Sequence, residues 1–85
     1  MARSLRSPGH LALMQVLRAT RQKAGLTQVE LAARLHRPQS WVAKVEGGER
    51  RLDVVELAEV SLALGIDPGE LVGPVVAALA NSESQ

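Results

Sequence analysis

The sequence predicts an all-α fold, a compact bundle of about five short helices. Three observations lead there. Apolar residues recur every three or four positions and nowhere alternate as a half-buried strand requires. Hydrophobic residues make up 46% of the 85 residues, yet there is no Phe or Tyr, so a core must come from Leu, Val and Ala, which suit close-packed helices. Residues that start and stop helices come in matched sets along the chain.

Leu13, Val16, Leu17, Thr20 and Ala24 mark one face of a first helix from about His10 to Ala24, which Gly25 can end in the left-handed conformation. In TQVE, Thr27 is an N-cap and Glu30 completes a capping box. The second helix turns Leu31, Ala32 and Leu35 inward. After a tight turn at His36–Arg37, Pro38 opens a third helix at a first-turn position, and Gly47–Gly48 end it. Asp53 and Glu56 cap a fourth helix, closed by Gly65. Asp67, Pro68 and Glu70 open a short fifth. Beyond Gly73, PVVAALA is long enough for a separate short helix begun by Pro74, and NSESQ reads as a frayed polar end. The chain divides into a flexible basic arm over 1–9, a folded domain over 10–72, and an apolar extension with a polar tail over 73–85.

The net charge of +1 conceals an asymmetry. Residues 1–52 hold all ten Lys and Arg against three acids, a net of +7, whereas residues 53–85 hold six acids and no base, a net of −6. One end therefore suits a polyanion and the other faces away from it. With no Cys there is no disulfide framework or thiolate metal site. His10 and His36 lack a third ligand at metal spacing and read as surface or turn residues, so no metal or cofactor is expected. No apolar run approaches the roughly 20 residues that cross a bilayer. MARSLRSPGH carries no apolar signal core, and its Arg/Ser-rich look runs straight into the first helix, which argues against a transit peptide. These features point to the cytoplasm. Glu56 and Glu59 read as a solvated acidic face, and no nucleophile elbow or phosphate loop is present, so an enzyme is not expected.

Two short helices joined by a tight turn, with apolar or small residues at Leu31, Ala32, Leu35, Val42 and Val45, have the spacing of a helix-turn-helix, whose second helix enters the DNA major groove. Wound at 100° per residue, the third helix puts Val42, Val45 and Glu46 on one side. Ser40, Ala43, Lys44 and Gly47 fall opposite, with Trp41 on the flank.

GLTQVELAARL followed by QSWVAKVEGGERR resembles the lambda-repressor/Cro-like (Xre-like) helix-turn-helix family over about residues 11–72. His36 stands where that family usually has a positive-φ Gly, and Pro38 where it often has a Ser or Thr cap. The resemblance implies that Glu46 pairs with Arg21. Physics agrees, because a carboxylate beside Val42 and Val45 needs a partner and Arg offers a bidentate fork. It also implies base contacts from Gln39, Ser40 and Lys44, and a phosphate contact from Gln28 at the start of the second helix.

Ala43 and Gly47 permit close approach, and Arg37, Arg50 and Arg51 are placed for the DNA backbone. Trp41 either meets DNA itself or packs against Leu52 or the stem of Arg37. Arg3 and Arg6 belong to a plain tail or to a basic arm along the duplex. The expected function is a sequence-specific regulator of transcription, a repressor that binds double-stranded DNA as a homodimer. The competing reading is a protein-interaction module, such as an antitoxin gripping a toxin, which can also repress its own operon. Ile66, Leu71, Val75, Val76 and Leu79 are the expected dimer surface, unless they fold back on the first helix and complete the core.

Overall fold

A computed structural model of the chain describes residues 7–83. Its helices are α1 (Pro8–Lys23), α2 (Gln28–Arg34), α3 (Gln39–Glu46), α4 (Val54–Leu64) and α5 (Gly69–Glu83), with no strand among the described residues. The first helix starts earlier than its apolar face suggests. The Ser7 side chain accepts from the His10 N–H at 3.3 Å and Pro8 occupies the first turn, so Pro8 and Gly9 are helical rather than part of a flexible arm. Residues 1–6 of that expected arm, Arg3 and Arg6 included, lie outside the described residues.

All five helices contribute to one core, made of Leu17, Leu31, Ala32, Val42, Val45, Val60, Leu64 and Leu71, each at most 7% exposed. Burying each Leu or Val is worth about 1.5–3 kcal/mol, so this cluster is the main source of stability. Ala32 is small where α2 packs on α3. Between those helices His36 adopts φ +56°, so the residue standing in for glycine accepts the left-handed turn. Pro38 departs from expectation. It is the N-cap of α3, with extended ψ and no side-chain cap bond, and the helix begins at Gln39. At the other end Gly48 adopts φ +83°, a backbone conformation that a residue with a Cβ rarely takes.

Reciprocal capping boxes start α2 (Thr27 and Glu30) and α4 (Asp53 and Glu56). Arg34 donates to the carbonyl of Ala63 at 2.9 Å, so a cation from α2 meets the negative end of α4.

The C-terminal segment needs correction. The short fifth helix and the separate one after Gly73 are a single 15-residue helix, with Pro74 inside it, packed against α1. Leu71, expected on a dimer surface, is fully buried in the chain's own core and has no area to offer a second copy. Ile66 packs half-buried against the same core, and Val75 is half-buried beside Leu13, Leu52 and Leu57. Val76 and Leu79 stay exposed, at 57% and 47%. Pro74 survives in the helix because the packing of α5 on α1 outweighs one missing backbone bond. Pro74→Ala is therefore expected to raise stability by about 1–2 kcal/mol, read as a higher midpoint in a thermal melt. An unchanged or lower midpoint would mean that α5 is not helical through this residue.

Candidate nucleic-acid interface

The apolar stripe of α3 buries Val42 and Val45 and carries Glu46 in with them, its side chain completely enclosed. A carboxylate so placed must be satisfied on every side. Arg21 of α1 donates from Nε to Oε2 at 2.6 Å and from Nη2 to Oε1 at 3.0 Å, the bidentate geometry that guanidinium favours. Its Nη1 donates to the carbonyl of Leu26 at 2.7 Å, which ties the α1–α2 turn into the same cluster. Gln28 donates its amide to Oε1 at 3.0 Å, and Arg18 Nε lies 3.5 Å from that oxygen. Burial opposes ionisation of Glu46, but the hydrogen bonds from Arg21 and Gln28 and the charges of Arg21 and Arg18 outweigh it and hold the carboxyl below its ordinary range. Glu46 thus braces α3 against α1 and the start of α2.

The same carboxylate orients the outer face. An ionised carboxylate only accepts, so the Gln28 atom that meets it must be the NH2. The carbonyl of Gln28 then points the other way, and it accepts from the Gln39 Nε2 at 2.8 Å. The end of the Gln39 side chain that faces outward keeps one N–H donor and a carbonyl acceptor. That pair matches the N7 acceptor and N6 donor of adenine in the major groove. Gln39, Ser40 and Lys44 are exposed, and Ala43 and Gly47 are half-buried. Together they form a low surface with amide, hydroxyl and ammonium groups at its edge.

The flank toward α4 differs from the sequence expectation. Trp41 is half-buried, with the guanidinium carbons of Arg37 and Arg50 4.3 and 5.3 Å from its ring centroid. The ring thus meets the guanidinium of Arg37 rather than its aliphatic stem. Arg50 does not stand open in the loop. Its Nη1 and Nη2 reach the two oxygens of Glu56 at 3.0 and 2.8 Å. Arg37 Nη2 lies 3.2 Å from Glu59. Glu56 is therefore no part of a solvated acidic face: it is 9% exposed, and hydrogen bonds from Arg50 and the Asp53 backbone pull its carboxyl down to about 2. Arg51 is exposed.

Arg18 and the Gln28–Gln39 amide pair were missed from the sequence. Arg18 sits one helical turn before Arg21, a spacing that could have revealed it. The amide pair joins two helices across the turn and has no spacing signature. Among the described residues no group of three His, Cys, Asp or Glu side chains could hold a metal ion, and no helix is long and apolar enough to cross a membrane.

Five helices in this order, with α3 presented beside α2 across a left-handed turn, define a helix-turn-helix protein. Comparison with known proteins agrees. The model of the family described as "Helix-turn-helix domain" matches residues 12–72. An HTH-type transcriptional regulator of Sinorhizobium fredii, y4dJ, is 41% identical over 54 residues, which are 64% of this chain and 70% of that protein. An XRE-family-like protein from Pseudomonas syringae pv. tomato is 48% identical at a TM-score of 0.74, covering 81% of this chain and 84% of that one. The restriction-modification controller protein C.AhdI of Aeromonas hydrophila is 35% identical at a TM-score of 0.69, covering 73% of this chain and 94% of that one. The chain belongs to the XRE-like helix-turn-helix family of DNA-binding transcriptional regulators.

Proposed function

We propose that this regulator is a repressor, which occupies a two-fold operator as a homodimer and lays α3 in the major groove of each half-site. The observation that carries the reading is the amide relay from Glu46 through Gln28 to Gln39, because it prepares a donor and an acceptor of fixed order on the exposed face of α3. Lys44, one turn further along that face, reaches guanine O6/N7 or a phosphate. Ser40 and the low surface at Ala43 and Gly47 let the helix approach. Gln28 and Arg51 meet the DNA backbone on either side, Gln28 from the start of α2, where the helix dipole favours phosphate. A similar protein that is itself a controller, C.AhdI, supports the regulatory sense. Work on an operator places the protein in the cytoplasm with the chromosome.

The experiment begins by selecting bound duplexes from a random-sequence pool. Gln39→Ala and Lys44→Ala are then measured on the selected site and on random DNA. Each base-reading side chain is expected to contribute about 1–3 kcal/mol of discrimination at one base pair, and Gln39→Ala to erase a preference for adenine. Equal losses on both DNAs would reduce the residue to a phosphate contact. If no variant loses affinity, α3 is not the reading helix. A protein that binds no duplex at low salt would favour the interaction-module reading.

A further inference from the structure

Arg37 and Arg50 belong to the basic half of the chain, but the fold engages both internally. The Arg50 fork spans Glu56, and its Nη1 also donates to the carbonyl of Arg51 at 2.9 Å. Arg37 is 3.2 Å from Glu59 and 4.0 Å from Glu56. The Trp41 ring lies against both guanidiniums. Glu56 cannot swing away freely, since its Oε1 accepts from the Asp53 N–H at 3.0 Å and its own N–H donates to Asp53 Oδ1 at 2.7 Å. Two arginines and two glutamates make a locally neutral cluster on the flank of the reading helix, with Arg37 just before α3, Arg50 just after it and both glutamates on α4.

We propose that Glu56 and Glu59 are specificity-determining residues, which lower affinity for DNA of arbitrary sequence by holding Arg50 and Arg37 away from phosphates. Sequence-independent binding comes from cations that follow the phosphates through many docking poses and release counterions at each contact. A guanidinium fixed on a carboxylate and an aromatic face cannot follow them. A base-reading complex has one pose and draws its selectivity from the face of α3, so it loses less. Glu56 stays ionised through any working pH, which keeps the lock closed without a trigger.

The inference rests on the reading that α3 and the loop after it face DNA, and the test separates the two. Binding to a labelled random-sequence duplex of about 20 bp is measured from 50 to 200 mM salt for the wild type, Glu56→Gln and Glu59→Gln. Each arginine released should steepen the slope of log K against log[salt] by about 0.9 and tighten binding at 50 mM roughly tenfold. A smaller gain on the selected site should lower the ratio of specific to random affinity. Adding Arg50→Ala to Glu56→Gln, or Arg37→Ala to Glu59→Gln, should cancel the gain. Glu59→Gln leaves both capping boxes intact, so the test survives if Glu56→Gln folds poorly. Slopes that coincide while all proteins bind would overturn the lock and leave the DNA reading standing. A gain that persists without its arginine would also overturn it, because the acid would then act only as a general repulsive charge. If neither the wild type nor any variant binds the duplex even at 50 mM, the DNA reading fails and takes the lock with it.

Discussion

Glu46→Ala is expected to lower stability by about 3 kcal/mol or more, because it strands the buried Arg21 guanidinium without its partner. For a domain of this size that is a fall of roughly 12–24 °C in the melting midpoint. Arg21→Ala should match it by leaving a fully enclosed carboxylate, the costlier group to strand if Arg18 and Gln28 cannot compensate. Lys44→Ala removes a solvated side chain and should change stability by no more than about 0.5 kcal/mol. A thermal melt of the three variants ranks them, and a Glu46→Ala midpoint equal to that of Lys44→Ala would mean that the brace contributes nothing.

Acid should act on the same groups. Glu46, Glu56 and Glu30 are all held below the ordinary carboxylate value in the folded protein. Their contribution is therefore present above the unfolded-state value of about 4.3 and is lost as pH falls. For Glu56 the loss is spread down to about pH 2. Stability should decline on acidification from pH 5 toward 2, less so in Glu56→Gln than in the wild type.

That Glu46 needs a partner was legible in the sequence because a carboxylate on an apolar helical stripe has few physical solutions, whereas Arg21 as that partner came from the family resemblance. The capping boxes of α2 and α4 were legible for a similar reason, since their partners lie three residues apart and need no tertiary knowledge. What stayed hidden depended on the path of the chain between elements. Arg50 follows α3 and Glu56 sits in the first turn of α4, so their pairing is set by how the loop at 47–53 folds, and composition alone suggested an open cation and a solvated acid. Pro74 misled in the opposite direction. A proline after a glycine marks a helix start locally, yet the docking of α5 on α1 carries the helix through both residues. The outer face of α3 was readable by helical periodicity, but the amide order at Gln39 required the distances to Gln28 and Glu46.

The burial of Leu71 narrows the proposed dimer surface and yields the prediction with the largest effect on function. Val76 and Leu79 are the members of the expected set that remain exposed. Val72, 38% exposed, joins them on α5 and, with Val54, Leu52, Leu57 and Val75, lines a shallow apolar groove. Val76→Asp should leave the monomer folded, since the side chain points to solvent, while setting two like charges close to a two-fold axis. The protein is expected to run as a monomer in sedimentation, and its affinity for a two-half-site operator to fall about 100-fold or more, because the second half-site loses its effective concentration. Leu71→Ala is the contrast. It opens a cavity in the core and should cost about 2–5 kcal/mol of stability without changing the associated mass of the folded fraction. Truncation after Val72 would separate these effects poorly, because it removes Val75, Ala78 and Leu79 and uncovers α1 at Gly9 and Leu13. A Val76→Asp protein that stays folded and dimeric would move the interface elsewhere, and the exposed Val55 and Leu62 of α4 would be the next residues to test.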